Sequence, residues 1–151
     1  MSLKYEFLAT LTIEVAESYV LGETPAGWRR IANFAGGTFV GPRINGKILP
    51  GSADAVLRRQ DNAIQPDVRL TLRTDDNAHV WVTYRGIRHG PQDIMDKIAR
   101  DEPVDPGDYY QRSSLYFETG AARYDWLNRI IGIGTGRRIP GQMIYDVYEL
   151  L

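Results

Sequence analysis

The sequence predicts an all-β domain, a closed or nearly closed antiparallel barrel with one short helix, and three observations lead there. Apolar and polar residues alternate with a period of two over much of the chain, the pattern of half-buried strands. Strand formers and turn formers are both plentiful, with 9 Tyr and 15 Gly,. Only one segment has helical spacing, so an open sheet of about eight strands would lack helices to cover it, whereas closure removes its edges.

Residues 4–15 alternate strictly, with Tyr5, Phe7, Ala9, Leu11, Ile13 and Val15 on one face and Glu6, Thr10, Thr12 and Glu14 opposite,. Residues 22–27, containing Pro25, break the chain before a second run from Trp28 to Phe34. Gly36-Gly37 reads as a turn, followed by a short strand over residues 38–41,. Asn45-Gly46 between Ile44 and Ile48 is a hairpin signal,, and residues 55–60 supply one more strand.

Residues 65–88 form a hairpin whose loop follows from face consistency. A loop of two or four residues mixes Leu70 with Thr83 and Arg69 with Tyr84 on shared faces. A three-residue loop, Asp75-Asp76-Asn77 with Asn77 left-handed, collects Val68, Leu70, Leu72, Val80, Val82 and Tyr84 on one face,. Asp67, Arg69, Thr71, Arg73, His79, Trp81, Thr83 and Arg85 then share the other.

Residues 91–100 are the helix, with a narrow stripe of Ile94, Met95 and Ile98 stopped by Pro103 and Pro106,. Residues 108–119 return to strand, residues 124–128 make a turn or short helical corner, and residues 129–134 and 143–150 close the fold as strands. No repeat, linker or low-complexity tract divides residues 1–151, so a single domain is expected,.

A net charge of -1, from 18 basic and 19 acidic residues, gives no global field to recruit nucleic acid or an anionic membrane,. With no Cys, thiolate nucleophiles, disulfides and Cys-based zinc sites are excluded,. No secretory pattern opens the chain, and the cytoplasm is the default location. His79 and His89 match no metal-ligand spacing, and Asp75 and Asp76 are read as turn formers, so no metal is expected,. The glycines at 132, 134 and 136 lack the following helix that a phosphate loop requires, since Arg137-Arg138-Ile139-Pro140 cannot open one; they read as a glycine-rich strand or turn,.

The densest mixture of aromatics, acids and amides runs from Tyr116 to Asn128. Tyr124 and Trp126 are positioned to wall in Glu118 and raise its pKa, with Asn128 as a hydrogen-bond donor; the alternative is a barrel corner in which the aromatics pack and Asn128 caps. Arg69, Arg73 and Arg85 either bind an anion or decorate a solvated exterior.

Gly41-Pro42-Arg43, Leu49-Pro50-Gly51 with Ala53-Asp54, Asp67-Val68-Arg69, Thr74-Asp75-Asp76-Asn77-Ala78 and Phe117-Glu118-Thr119 through Tyr124-Asp125-Trp126-Leu127-Asn128 resemble the domain-of-unknown-function family 3237 over nearly the whole chain. That resemblance implies a calycin-like β-barrel and brings no reaction or catalytic set.

Functionally the sequence points to a barrel that binds a small, partly apolar organic molecule without a tightly bound cofactor. In the enzymatic version Glu118 or Asp54 moves a proton in an isomerisation, hydration or cyclisation, while Arg43 or Arg69 and Tyr84 stabilise developing negative charge. In the binding version the same residues only orient a ligand. A third version is a filled barrel that acts as a structural homo-oligomer. Trp81, standing on a polar strand face, leads us to expect self-association, as a dimer.

Overall fold

The computed structural model describes residues 2–151, and they form a closed ten-stranded antiparallel β-barrel with two short helices. β1 (Tyr5–Thr24) pairs on one side with β2 (Gly27–Val40). From its other side the wall runs through β10 (Gln142–Leu150), β9 (Gly132–Ile139), β8 (Tyr110–Glu118), β7 (His79–His89) and β6 (Asp67–Thr74). Two successive strands, β3 (Asn45–Ile48) and β4 (Ala53–Arg58), join β6 to β2 and close the cylinder. β5 (Ile64–Gln65) is a rim strand between β4 and β7. Because β3 and β4 share one position in the wall and β5 only edges it, the barrel has about eight staves, a width that side chains or one small ligand can fill.

The β6–β7 hairpin has the three-residue loop that face consistency requires. Asn77 is left-handed at φ 68, and the Thr74 and Ala78 backbones pair across the loop. Leu70 faces Val82 and Val68 faces Tyr84, all buried, while Arg69, Arg73, Trp81 and Arg85 lie outside. A branched side chain cannot adopt that backbone without strain, so Asn77→Val is expected to cost about 1–2 kcal/mol. The urea midpoint should fall accordingly, whereas Asn77→Gly should leave it unchanged or higher.

Elsewhere the local signals meant something different. β1 breaks its alternation at a bulge after Phe7, so Leu8 and Ala9 are both buried and Tyr5 and Phe7 are outside, not on the inner face. Gly36-Gly37 is no turn: both pair with β1 inside continuous β2, next to a bulge at Ala35, and a Cβ on Gly37 would lie 2.0 Å from the Thr12 carbonyl oxygen. Asn45-Gly46 starts β3; the reversal is made by residues 41–44, with Gly41 N–H donating to the Ile44 carbonyl.

One half of the barrel is a dry core of Leu8, Leu11, Phe39, Leu72, Val80, Val82 and Phe117. Its end is plugged by the expected corner, which is longer than residues 124–128: a kinked 3-10 segment over Ala122–Arg129 that buries Tyr124 and Leu127. Beside the other end, α1 (Gln92–Ala99) packs Met95 and Ile98 against Tyr109, with Ile64 and Val104 at the edge of this small cluster. Among the described residues no helix is long and apolar enough to cross a membrane.

Candidate functional site

At the α1 end the inner face of the barrel changes character. Following β7 inward, the period of two runs Val80, Val82, Tyr84, then Gly86 and Arg88; following β8 it runs Phe117, Leu115, Ser113, Gln111. The two strands pair Gly86 with Ser113 and Arg88 with Gln111. β2 contributes Arg30, β4 contributes Asp54, β9 contributes Arg138 near its end and β10 places Tyr145. Arg30, Asp54, Tyr84, Arg88, Gln111, Arg138 and Tyr145, together with Ile13, Val15, Phe34, Val56, Ile64 and Met143, surround a cavity of about 50 Å³. A water's share of liquid volume is about 30 Å³, so the cavity holds one or two waters or a small polar head group, and a larger ligand body must lie toward the strand ends.

The wall is built to hold this polar layer. Gly136 pairs with Tyr145 and leaves room for it and for Gln111; a Cβ there would sit 2.7 Å from Tyr145 Cε1 and 2.8 Å from Gln111 Cγ. Gly86 does the same for Ser113, whose Oγ would be 2.3 Å from a Cβ. Asp54 is aimed by the irregular link between β3 and β4. There Ser52 is buried, its Oγ donating to the Leu49 carbonyl and accepting from Thr71 N–H, so the chain re-enters the wall with Asp54 between Ala32 and Val68,.

Asp54 Oδ1 accepts one hydrogen bond, from Asp67 N–H at 2.8 Å. Burial pushes its pKa up to about 6, against the pull of that hydrogen bond and of Arg88 and Arg30. Burial also raises Tyr84 well above the ordinary phenol and, with the Asp54 charge, takes Tyr145 to about 12, so both hydroxyls stay protonated at neutral pH. Gln111 donates to the Tyr145 hydroxyl at 2.7 Å.

The guanidiniums are not equally satisfied. Arg138 donates to Asp101 and Arg30 donates to Ser18 Oγ. Arg88 makes no side-chain hydrogen bond among the described residues, and its Nε is buried without a partner, as are Gln111 Oε1 and Ser113 Oγ. Orphaned buried groups are rare in folded proteins, and Arg88 and Gln111, which both line the cavity, mark a place where something else supplies the hydrogen bonds,. A larger groove of about 720 Å³ lies outside the barrel between residues 23–27 and 57–62, but there Asp61 pairs with Arg59 and no buried group lacks a partner.

Of the residues singled out from sequence, Asp54 and Tyr84 lie in the cavity. Glu118 does not: it is exposed on the outer face, opposite Trp81, because Leu115 and Phe117 take the inner phase of β8. Its convergence with Tyr124, Trp126 and Asn128 on one pocket is therefore overturned. Those three form the plug at the closed end. Tyr124 donates to Asp76, Asn128 exchanges hydrogen bonds with the Thr119 backbone, and Trp126 lies under the Arg43 guanidinium at 4.1 Å. Arg43 also pairs with Glu149 and faces the plug, not the cavity, while Arg69 is exposed opposite Thr83 on the exterior. Trp81 is 44% exposed on that same exterior.

A family model described as a protein of unknown function (DUF3237) matches residues 3–150. The chain belongs to that family. It is 35% identical over 150 residues to the UPF0311 protein RPA1785 of Rhodopseudomonas palustris, covering 99% of this chain and 98% of that one. The crystal structure of RPA1785 superposes with a TM-score of 0.96, at 34% identity and with 100% and 99% of the two chains covered. A β-barrel-like protein from Acinetobacter baumannii gives 0.86 at 34% identity over 100% of this chain and 98% of its own. A distant relative, 23% identical over 130 residues (86% of this chain and 72% of that protein), is the hydroalkoxylation enzyme phnH of Penicillium herquei.

Proposed function

We propose that this DUF3237 barrel is an acid–base enzyme that moves a proton on a small organic substrate, in an isomerisation, hydration or cyclisation, with Asp54 as the proton carrier. The observation that carries this reading is the Asp54 carboxyl inside the barrel, with a pKa near 6, in the same cavity as the unpartnered Arg88. A group that titrates close to neutrality can both give and take a proton at working pH. Arg88 and the protonated hydroxyls of Tyr84 and Tyr145 are donors for an oxygen on which negative charge develops.

The name of the Penicillium herquei relative fits this class. In a hydroalkoxylation an O–H adds across a C=C bond: carbon gains a proton, oxygen loses one, a C–O bond forms and no electrons leave the substrate. Asp54 in its acid form would protonate the carbon, and the carboxylate so formed would take the proton from the attacking hydroxyl, restoring the acid.

An alkenyl phenol such as 2-prenylphenol, incubated with the protein in D₂O, tests it. Ring closure to 2,2-dimethylchroman should place one deuteron at C3. The rate should fall as pH rises above about 6, because the proton-donating form of Asp54 is lost. Asp54→Asn should lose on the order of a hundredfold or more, and Glu118→Gln nothing. Saturable binding of phenols with no turnover across a panel of alkenyl phenols, enones and dicarbonyls would favour a carrier over an enzyme.

A further inference from the structure

We propose that the cavity takes its ligand as a monoanion whose charge is shared by two oxygens, a carboxylate or the enolate of a β-dicarbonyl, held by the unpaired fork of the Arg88 guanidinium. This rests on reading the cavity as the ligand site. It does not depend on Asp54 moving a proton.

Two independent observations carry it. The first is the charge balance. Arg138 is matched by Asp101, which leaves the guanidiniums of Arg30 and Arg88 facing a single carboxylate, Asp54. The cavity is thus one positive charge in excess with Asp54 ionised and two with Asp54 protonated. An uncompensated guanidinium in a cavity is costly to hold, and an anion relieves that cost. Both arginines bear the mark of it, since burial lowers their pKa values from the ordinary guanidinium.

The second is the Arg88 guanidinium, which lines the cavity, makes no side-chain hydrogen bond among the described residues and has its Nε buried without a partner. A guanidinium edge presents two parallel N–H donors, a fork that matches two neighbouring oxygens sharing one charge. The small size of the cavity fits a head group of this kind, and the apolar lining from Ile13, Val56 and Met143 accommodates carbon next to it.

The probes are acetate, its neutral isostere acetamide, and acetylacetone, in low-chloride buffer. Acetate and acetamide binding are read by calorimetric titration and ligand-observed NMR at pH 5.5 and 8, and acetylacetone binding by the ultraviolet band of its enolate. Acetate is expected to bind saturably, at least tenfold more tightly than acetamide and more tightly at pH 5.5 than at pH 8. Arg88→Met should abolish this, and Arg88→Lys, which keeps the charge but not the fork and keeps the fold if Arg88→Met does not, should weaken it several-fold. Growth of the enolate band at a pH where free acetylacetone shows little of it identifies a dicarbonyl enolate as the natural chemistry; acetate binding without that growth identifies a carboxylate. Acetamide binding as tightly as acetate, no saturable binding of either anion, or anion binding unaffected by both substitutions would overturn the proposal. Anion binding with no deuterium transfer to any substrate would sink the enzymatic reading and leave this one standing.

Discussion

Asp54→Asn is expected to make the protein more stable at pH 8 while slowing the proposed proton transfer by on the order of a hundredfold or more. The folded carboxyl titrates near 6 and an unfolded aspartate near 3.8. Between those values the native state holds more protons than the unfolded chain, so Asp54's contribution to stability is largest below pH 4. It declines as pH rises through about 6 and is flat above. A shift of about two pH units corresponds to roughly 3 kcal/mol, already net of the attraction from Arg88 and Arg30. Asparagine mimics the protonated acid and can still accept from Asp67 N–H, so at pH 8 the variant should unfold at a temperature higher by on the order of 5–10 °C. The difference between wild type and variant should vanish at pH 4. Working with that difference cancels the surface carboxylates, among them Asp61, Asp101 and Asp125, whose lowered pKa values make both proteins lose stability in acid. Equal melting temperatures at pH 8 would mean that Asp54 is not held charged at a cost. Destabilising a residue that a folded chain would be better without is the usual signature of a working site.

How far the site can be read from the residues follows from where alternation keeps its phase. In β6 and β7 each strand has one clearly apolar face, so a wrong loop length produces a visible conflict, and the register follows from Leu70, Val82 and Tyr84 alone. Continuing the same period past Tyr84 reaches Gly86 and Arg88, a charged residue in the inner phase, which is the signal that locates the cavity. On β8 the same count puts Ser113 and Gln111 inside and Glu118 outside. The aromatic density around Tyr124 and Trp126 pointed elsewhere because closing a barrel end and walling a pocket call for the same residue types. Arg30 was beyond reach: the β1–β2 pairing changes register three times, so no phase can be carried along it from sequence. The paired glycines misled for a related reason. Gly37 and Gly46 are needed where a neighbouring strand's carbonyl comes too close for any Cβ, not where the chain reverses,.

Gly136→Val is expected to remove the site while leaving a barrel behind. The three inward positions of β9 before Arg138 are glycines, and each faces a side chain that the barrel would otherwise have no room for: Leu115 and Phe117 at Gly132, Leu115 and Tyr145 at Gly134, Tyr145 and Gln111 at Gly136. Val is a good strand former and Gly136 lies in ordinary extended backbone, so the substitution causes no conflict along β9 itself,. The conflict is across the cavity. A Cβ at 2.7 Å from Tyr145 Cε1 and 2.8 Å from Gln111 Cγ is closer than packed carbons sit, and the added methyls extend further into a space of about 50 Å³. Tyr145 and Gln111 must both rotate, which breaks their 2.7 Å hydrogen bond and fills the room beside Arg88. Overpacking of this kind typically costs about 1–3 kcal/mol, within what a domain of this size tolerates. Ligand binding and turnover should then fall below detection, with far-ultraviolet circular dichroism unchanged. If the variant instead binds acetate and turns over substrate like wild type, the ligand does not sit between β8, β9 and β10, and the role assigned to this polar layer is wrong.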